Sequence, residues 1–375
     1  MQKILYCAST ASHILNFHLP YLQFFKEQGW QVDVAVPEKA EIPYADNVIE
    51  LPMEKSLLAV GNLRAVQITK QLLADNEYEL ISTHTALAGA IIRLAVKLLG
   101  KQMKQGKIVH TSHGYFFSWE SDPAGWSYLW AEKLLAPVTD VLMVMNRADY
   151  GLAVRHKLCR NIVPIPGMGI DLAKFSRVGK EDKKSLKLKA GFNPDDFLLV
   201  YAAEMSKRKN QGELIRAFAL AAAQEPSLKL VLAGEGALKD QYQEMAHECG
   251  FGERILFPGQ VSAMVNLYEM CDAAVSTSRS EGLPFNVMEA MACGLPVIAS
   301  RIKGHTDLLS WSDGFQDSLL YAPGDEQTLA GMLLNLCRDE KLREKAGDEN
   351  RIKVRHYELE MVRPVVIEGY GELLQ

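Results

Sequence analysis

The sequence predicts an α/β protein made of two Rossmann-like halves that face each other across a cleft. Short aliphatic and β-branched runs alternate with longer amphipathic stretches over almost the whole chain. This alternation is typical of parallel sheets covered by helices on both faces. The pattern restarts once, after a short interruption rich in proline and glycine, and the length of 375 residues also agrees with two domains.

Each half contains its own series of predicted strands. In the first half these are Ile4–Ala8, Trp30–Val36, Val48–Leu51, Leu80–Thr83, Ile108–Thr111, Val141–Met145 and Ile162–Ile165. Helices are predicted between them, near 18–28, 62–75, 86–99, 124–135 and 147–157. In the second half the predicted strands are Leu198–Ala203, Leu228–Ala233, Ile255–Phe257, Ala273–Ser276 and Val297–Ser300. Because such sheets bind ligands at the carboxyl ends of their strands, the loops there are expected to carry the site.

The interruption lies at 164–169, where two prolines and two glycines occur within six residues. Such a stretch cannot continue a helix or a central strand. A polar, lysine-rich stretch over 180–189 follows it. We therefore expect the first domain to end near 168 and the regular part of the second domain to begin near 190.

The composition excludes several classes of protein. With 48% hydrophobic and 23% charged residues, the chain is not largely disordered. Its formal net charge of −5 is unlike that of a dedicated nucleic-acid binder with a basic patch. The apolar run at the N-terminus is too short for a secretion signal, and no run approaches the roughly 20 apolar residues of a membrane span. Because the six cysteines also form no CxxC pair, we expect a cytoplasmic protein with free thiols.

The segment 278–296 joins a predicted strand to a predicted helix. Glu281 lies in the loop at the carboxyl end of the strand, and Glu289 lies eight residues later on the helix. The amides around Phe285 and Asn286, at the helix N-terminus, suit an anion such as a diphosphate. A carboxylate on the same helix can accept two hydrogen bonds from a ribose diol. The alternative is two solvated glutamates beside an ordinary capped helix.

A second candidate segment, 203–213, also follows a predicted strand. It contains three consecutive cations, Lys207 to Lys209, and then Asn210 and Glu213, which are spaced as a capping box. Cations at a turn between a strand and a helix would neutralise the charge that develops on a leaving diphosphate. The alternative is a solvated basic loop.

Histidines are concentrated in the first half. His13, His84 and His113 each follow a predicted strand, where an imidazole could orient or deprotonate a hydroxyl. Their spacing matches no standard zinc pattern, and hydrogen-bonded structural histidines are the alternative. No two aspartates are separated by one residue, and the chain has no P-loop motif. We therefore expect amides and cations, without a metal ion, to bind any diphosphate.

Together these motifs resemble the retaining glycosyltransferases of family 4. Glu281 and Glu289 match the family's E-x7-E element, and 278–308 is similar to its whole C-terminal signature. Further similar segments are 166–171 with Phe175 at the interdomain joint, 230–236 and 257–261 at strand ends, and 112–115 at the histidine loop. The segments 17–20, 113–117 and 209–211 most resemble the branch that builds bacterial capsule and exopolysaccharide repeat units.

The resemblance implies a GT-B fold with an acceptor-binding domain over 1–168 and a nucleotide-sugar-binding domain over 169–352. A C-terminal helix over 353–375 is expected to return to the first domain. The implied reaction is retaining transfer of a sugar from a nucleotide-diphosphate sugar, expected to be a UDP-sugar. The expected acceptor is a glycan, such as a saccharide linked to polyprenyl diphosphate, in the synthesis of a cell-surface polysaccharide. We expect no cofactor, no metal and no nucleic-acid partner.

The resemblance also implies roles for individual residues. Catalytic roles are expected for His113, Glu281 and Lys209. Residues expected to contact the donor are Arg208, Gly234, Gly236, Gln260, Gly282, Leu283, Phe285, Asn286 and Glu289. Residues expected on the acceptor or sugar side are His13, Asn16, His18 and His84. The chain departs from the family at Ala203-Glu204, where many members have Gly-Arg, and in the loop 9–13, which lacks the common glycine pair.

A candidate membrane surface includes part of the predicted helix 86–99 and the residues just after it. Basic residues recur there every three or four positions and, where the segment is helical, would form a face attracted to anionic lipid: Arg93, Lys97, Lys101, Lys104 and Lys107. Three tryptophans nearby, Trp119, Trp126 and Trp130, suit a bilayer surface. The alternative is a solvated face beside a cluster of core tryptophans. Peripheral attachment to the inner face of the membrane would suit a lipid-linked acceptor.

Two other functions compete with sugar transfer. A nucleotide-sugar 2-epimerase has a similar two-domain architecture, but it needs acid and base groups positioned to move a proton on the sugar. A non-catalytic homologue could instead serve as a binding subunit in a polysaccharide assembly complex. Acceptor-dependent release of the nucleotide would distinguish a transferase from both.

Overall fold

The computed structural model describes residues 1–54, 59–100, 106–118, 123–310 and 319–371. The chain forms two compact units. Unit 1 comprises Met1–Gly169 together with Leu359–Gln375, and unit 2 comprises Ile170–Glu358. The segment that returns to unit 1 therefore begins at Leu359, whereas the sequence predicted a return from 353.

Unit 1 contains a parallel sheet with seven strands among its described residues. These are β1 (Lys3–Cys7), β2 (Gln31–Val36), β3 (Asn47–Glu50), β4 (Leu80–His84), β5 (Lys107–Ser112), β6 (Val141–Val144) and β7 (Ile162–Pro164). They are hydrogen-bonded in the order β3-β2-β1-β4-β5-β6-β7. The strand order therefore reverses between β1 and β4, and such a switch point is where α/β sheets bind ligands.

The helices of unit 1 cover this sheet. They are α1 (Ala11–Phe17), α2 (Leu19–Glu27), α3 (Val60–Asp75), α4 (Ala86–Leu99), α5 (Pro123–Leu135), α6 (Arg147–His156) and α15 (Leu359–Tyr370). Tyr370 at the end of α15 is fully buried, and its hydroxyl lies 2.8 Å from Ser82 Oγ and 3.1 Å from the Tyr6 hydroxyl. The C-terminal helix is therefore part of the core of unit 1.

Unit 2 contains a second parallel sheet, with six strands among its described residues. These are β8 (Phe197–Ala202), β9 (Leu228–Ala233), β10 (Ile255–Gly259), β11 (Ala273–Ser276), β12 (Val297–Ser300) and β13 (Leu320–Tyr321). Their order is β10-β9-β8-β11-β12-β13, so the switch point lies between β8 and β11. The helices are α7 (Lys180–Lys189), α8 (Gln211–Ala222), α9 (Lys239–Glu248), α10 (Met264–Met270), α11 (Phe285–Ala292), α12 (His305–Leu309), α13 (Glu326–Arg338) and α14 (Glu340–Val354).

The expectation that the regular part of the second domain begins near 190 is wrong. The lysine-rich stretch 180–189 forms α7, and unit 2 begins at Ile170. The helix is fixed on one side by Lys187, which is buried and whose Nζ lies 2.6 Å from Asp272 Oδ2. Because this partner lies 85 residues away in sequence, the local composition indicates only a polar segment.

Two further properties of the chain follow from the structure. Every helix within the described ranges is too short or too polar to cross a bilayer. All six cysteines are unpaired, and four of them are buried.

Candidate active site

Two loops meet at the switch point of unit 2. The loop 203–210 follows β8, and the loop 277–284 follows the adjacent strand β11. The Arg279 amide donates a hydrogen bond to the Arg208 carbonyl at 2.8 Å, and Thr277 Oγ1 donates to the Asn210 carbonyl at 2.9 Å. The loops that carry the predicted cations and the predicted acid are thus bonded directly to each other.

Glu281 is almost fully buried between the two loops. Lys209 Nζ lies 2.5 Å from Glu281 Oε1, and Arg208 lies 3.1 Å from Oε2. Ser278 Oγ donates a further hydrogen bond to Oε1 at 2.6 Å. Burial raises the pKa of Glu281, but the charges of Lys209 and Arg208 outweigh it, so the pKa lies below its ordinary value. The acid is therefore ionised, and it contacts two cations.

Tyr201 connects this ion cluster to the sheet. It is the fifth residue of β8 and is fully buried. Its hydroxyl donates to the Lys209 carbonyl at 2.9 Å and lies 2.8 Å from Ser278 Oγ. Burial raises the pKa of Tyr201 beyond its usual range, so the hydroxyl stays protonated. Tyr201 was not predicted, because its place in an apolar strand gives no sign of a polar role.

Helix α11 begins directly after the second loop. Pro284 at its N-cap makes no side-chain capping bond to the first-turn amides. This end of a helix attracts anions through its dipole and its amides. One turn later, Glu289 Oε2 accepts a hydrogen bond from the Tyr268 hydroxyl at 3.1 Å. Burial raises the pKa of Glu289 to about 7, and the Tyr268 hydrogen bond offsets only part of that effect.

The loops after β9 and β10 lie at the same edge of the sheet. Gly234, which follows β9, has a φ of +137°, and a Cβ there would lie 2.2 Å from the Ala203 carbonyl oxygen. A Cβ at Gly236 would meet the Met205 carbonyl oxygen at 2.4 Å. The Gly234 amide donates to the Gly259 carbonyl at 2.8 Å, and the exposed Gln260 follows directly. Only glycine allows the backbones to approach this closely.

The capping box predicted at Asn210 and Glu213 is wrong. Asn210 has a left-handed φ of +56°, and its side chain caps no amide of α8. Its Nδ2 donates instead to the Glu213 carboxylate, whose other oxygen accepts from the Gly324 amide at 3.0 Å. Glu213 therefore connects two loops and does not cap its own helix.

Unit 1 brings four of the predicted histidines together. His13 lies on α1, His18 lies between α1 and α2, His84 ends β4 and His113 follows β5. His13 Nε2 and His113 Nε2 are 3.3 Å apart, and His113 Nε2 is 3.4 Å from His84 Nδ1. The rings of His18 and His84 are 4.0 Å apart between centroids. Asn16, also predicted on this side, is exposed on α1.

The four histidines form a neutral cluster. Burial lowers the pKa of His13 to about 4, and it lowers the pKa values of His18, His84 and His113 well below the ordinary value. Repulsion from the neighbouring imidazoles adds to the effect in the latter three. One ring nitrogen from each of His13, His18 and His113 lies within 4.8 Å of the other two, so these three residues could hold a metal ion.

One nearby residue, Ser82, and two residues distant in sequence, Tyr6 and Tyr370, lie next to His84 or its partner Ser82. His84 Nε2 lies 2.9 Å from Ser82 Oγ, which lies 2.8 Å from the Tyr370 hydroxyl on α15. The Tyr6 ring stacks on the His84 ring at 4.6 Å between centroids. Sequence reasoning missed Ser82, Tyr6 and Tyr370. A polar residue inside the buried strand β4 was the available signal for Ser82.

The prediction of a basic helical face around α4 is wrong for two of its five residues. Arg93 is only 1% exposed, and it pairs with Glu132 through two hydrogen bonds of 2.8 and 2.9 Å. Lys107 begins strand β5 and is not helical. Lys97 remains, and its Nζ donates to the Leu134 carbonyl at 2.6 Å. Two other predicted members, Lys101 and Lys104, lie outside the described residues, as does Trp119.

The tryptophans of α5 lie on the surface. Trp126 is 48% exposed and Trp130 is 65% exposed, which excludes the alternative of a core cluster for these two. Lys133 Nζ lies 5.4 Å from the centroid of the Trp130 ring. Leu98 and Phe116 are also more than half exposed.

Two protein-family models match the chain. Residues 3–145 match glycosyl transferase 4-like, and residues 182–353 match glycosyl transferases group 1. EpsD of Bacillus subtilis, named as a glycosyltransferase, is 35% identical over 356 residues, which cover 93% of this chain and 91% of EpsD. The chain belongs to glycosyltransferase family 4. The predictions of this family and of a glycosyltransferase enzyme are thereby confirmed.

More distant proteins are also similar to this glycosyltransferase. The UDP-Gal:α-D-GlcNAc-diphosphoundecaprenol α-1,3-galactosyltransferase of Escherichia coli is 27% identical over 277 residues, which cover 70% of this chain and 68% of that enzyme. The crystal structure of HepE from Anabaena, in complex with UDP and glucose, superposes with a TM-score of 0.77. It is 18% identical and covers 98% of this chain and 99% of HepE. The predicted GT-B fold class is confirmed.

Proposed function

We propose that this glycosyltransferase moves a sugar from a UDP-sugar to a saccharide linked to polyprenyl diphosphate, with retention at the anomeric carbon and without a metal ion. The product would serve a capsule or exopolysaccharide. The name of the E. coli relative pairs a UDP donor with a diphosphoundecaprenol acceptor, and HepE binds UDP. The motifs of this chain resemble the branch of the family that builds bacterial capsule and exopolysaccharide repeat units.

The observation that carries the proposal is the cluster of the buried Glu281 with Lys209 and the exposed Arg208. Two cations contact one carboxylate, so the cluster has an excess of positive charge at the switch point of unit 2. A diphosphate can satisfy this excess by taking Lys209 and Arg208 as partners. Glu281 then becomes available to accept a hydrogen bond from a hydroxyl of the donor sugar. Binding of the donor thus replaces an internal ion pair by a pair with substrate.

The neighbouring groups complete the donor site in this proposal. Glu289 accepts hydrogen bonds from the ribose diol, and the amides of Gly282, Phe285 and Asn286 face the phosphates and the sugar. The loop with Gly234 and Gly236 after β9 also contacts the donor. Leu283 lies against the sugar, and Gln260 lies near the base. No resident carboxylate pair is required to hold a divalent ion, because cations and amides carry the negative charge.

The proposed transfer is a same-face displacement. The bond between the anomeric carbon and the leaving phosphate oxygen breaks, and the acceptor oxygen bonds to the anomeric carbon on the same face. The acceptor proton passes to the leaving phosphate oxygen, which yields UDP. Lys209 stabilises the charge that develops on the phosphate, and the neutral His113 contacts a sugar hydroxyl. Removing one such charge-stabilising group typically costs about 100- to 1,000-fold in turnover.

We also propose that the acceptor is reached at the inner membrane surface by the cytoplasmic enzyme. Trp126 and Trp130 are exposed on α5, and Leu98 is exposed on α4. The surface near Trp130 is basic, because Lys133 and Arg155 lie near His156. Their charges add to burial in lowering the pKa of His156. Exposed tryptophans beside cations suit an anionic bilayer surface. His13, Asn16, His18 and His84 would then lie on the acceptor or sugar side.

Release of UDP tests the proposal directly. The purified chain is incubated with a panel of nucleotide sugars, with and without lipid-diphosphate-linked saccharides, in the presence of EDTA. We expect UDP release that requires both a donor and an acceptor and that EDTA does not abolish. A product nucleotide sugar formed without acceptor would instead indicate an epimerase. Binding of nucleotide sugars without release under any condition would indicate a binding module.

A further inference from the structure

We infer that His13, His18 and His113 form a Zn²⁺ site and that Zn²⁺ bound there inhibits sugar transfer. The site would be regulatory, because the proposed reaction itself uses no metal. The inhibitory part rests on the proposed role of His113, whereas the binding part depends only on the geometry of the three imidazoles.

The nitrogen atoms already have a spacing close to that of zinc ligands. Nitrogen ligands about 2.0–2.1 Å from a tetrahedral Zn²⁺ lie roughly 3.3 Å from each other. His13 Nε2 and His113 Nε2 are 3.3 Å apart, and one ring nitrogen from each of His13, His18 and His113 lies within 4.8 Å of the other two. A small rotation or shift of His18 therefore completes three ligands around one point.

His18 provides an independent observation. It is fully buried, and neither of its ring nitrogens has a hydrogen-bond partner among the described residues. Buried polar groups in native proteins are nearly always paired, so a residue of this kind requires an explanation. A metal ion between His18, His13 and His113 would give one of these nitrogens a partner.

The three imidazole ligands determine which kind of metal ion the site would bind. Three imidazoles suit zinc and related transition metals, whereas Mg²⁺ and Ca²⁺ prefer oxygen ligands. His13 and His113 are only half-buried, so an ion can enter from their side and keep a fourth position for water. The spacing of these histidines matches no zinc pattern because the ligands come from α1, the residue after α1 and the residue after β5.

The third ligand, His113, lies beside a further imidazole. His84 Nδ1 lies 3.4 Å from His113 Nε2, and His84 is itself fixed through Ser82 Oγ at 2.9 Å. The nitrogen of His113 that faces His84 is the one that would bind the ion, so binding of Zn²⁺ replaces this contact. When His113 Nε2 binds the ion, this nitrogen can no longer contact a hydroxyl of the substrate. Zn²⁺ and substrate therefore compete for the same atom.

The test measures binding and inhibition separately. Equilibrium dialysis of the full-length protein against micromolar ZnCl₂ should give one Zn²⁺ per chain. Co²⁺ in place of Zn²⁺ should give the visible absorption of a four-coordinate site. The variants His13→Asn and His18→Phe should each weaken Zn²⁺ binding by at least about 100-fold, since loss of an outer partner alone costs about 10- to 100-fold. His356→Gln, at an exposed histidine of unit 2, is the matched control and should bind Zn²⁺ as the unaltered protein does.

Several results would overturn the inference. Absence of saturable binding in the micromolar range would exclude the site, and so would binding that both cluster variants retain. Circular dichroism of the two variants establishes that they are folded, and the Co²⁺ spectrum of the unaltered protein requires no variant. Zn²⁺ that binds at the cluster but leaves acceptor-dependent UDP release unchanged would exclude inhibition. If no pair of donor and acceptor supports UDP release, even with EDTA present, the proposed function is wrong. Equilibrium dialysis then still shows whether the cluster binds Zn²⁺.

Discussion

The substitution Glu289→Gln should stabilise the protein at pH 8 and should change its stability much less at pH 5. Burial raises the pKa of Glu289 from an ordinary 4.5 to about 7. Below pH 4.5 the carboxyl is protonated in both the folded and the unfolded chain. Between pH 4.5 and 7 the folded chain retains the proton that the unfolded chain has lost, so stability falls as the pH rises. Above pH 7 the folded protein carries the full cost of a buried carboxylate.

The size of this cost follows from the shift. A difference of about 2.5 pKa units corresponds to about 3 kcal/mol. Glutamine has the same shape, carries no charge and can still accept the hydrogen bond from Tyr268. At pH 8 Glu289→Gln should therefore raise the free energy of unfolding of unit 2 by up to about 3 kcal/mol. For a domain of this size, that corresponds to an increase in Tm of up to about 10 °C.

The assay is thermal unfolding at pH 5 and pH 8, with and without UDP. Glu244→Gln, at an exposed carboxyl of α9, is the matched control and should change Tm little at either pH. UDP should bind Glu289→Gln about tenfold or more weakly at pH 8, because hydrogen bonds to a charged acceptor are the stronger ones. An equal Tm shift at both pH values, or a loss of stability at pH 8, would refute the reasoning.

Three further predictions concern other parts of the molecule. Lys209→Met should lower acceptor-dependent turnover about 100- to 1,000-fold, and turnover near that of the unaltered enzyme would exclude Lys209 from the site. Arg93→Met should destabilise unit 1 by about 3–5 kcal/mol in urea unfolding, because Glu132 is left buried without its partner. Adding Glu132→Gln should recover much of this loss, and a double variant as unstable as the single one would count against the ion-pair explanation. Trp126→Ala combined with Trp130→Ala should weaken binding to vesicles containing anionic lipid about tenfold, or about 1.4 kcal/mol; unchanged binding would exclude α5 as the membrane contact.

The strands of both sheets could be predicted because their signal is local. A buried parallel strand is a short apolar run, and each predicted run lies on an observed strand to within one or two residues. The strand β13 was missed because it has only two residues, Leu320 and Tyr321. Helix α7 was missed because its lysines have partners on distant segments, among them Asp272, which contacts Lys183 and Lys187.

The sequence was sufficient to predict which residues form the candidate site. It was not sufficient to predict which of these side chains contact each other. Because they follow predicted strands, Lys209, Glu281 and three of the histidines were predicted as candidate functional residues. The sequence assigned Lys209 to a diphosphate, however, and in the structure its partner is Glu281, 72 residues away. This pairing follows from β8 and β11 being neighbours in the sheet, and strand order is not a local property. The same holds for the contact of His13 with His113.

Nuclear magnetic resonance of the reaction product tests the central proposal most directly. The chain is incubated with the donor and acceptor pair that supports the fastest UDP release, and the configuration of the newly formed glycosidic bond is determined. We predict an acceptor extended by one sugar whose anomeric configuration is the same as in the UDP-sugar donor. A product of inverted configuration, or UDP release without an extended acceptor, would contradict retaining sugar transfer by this protein.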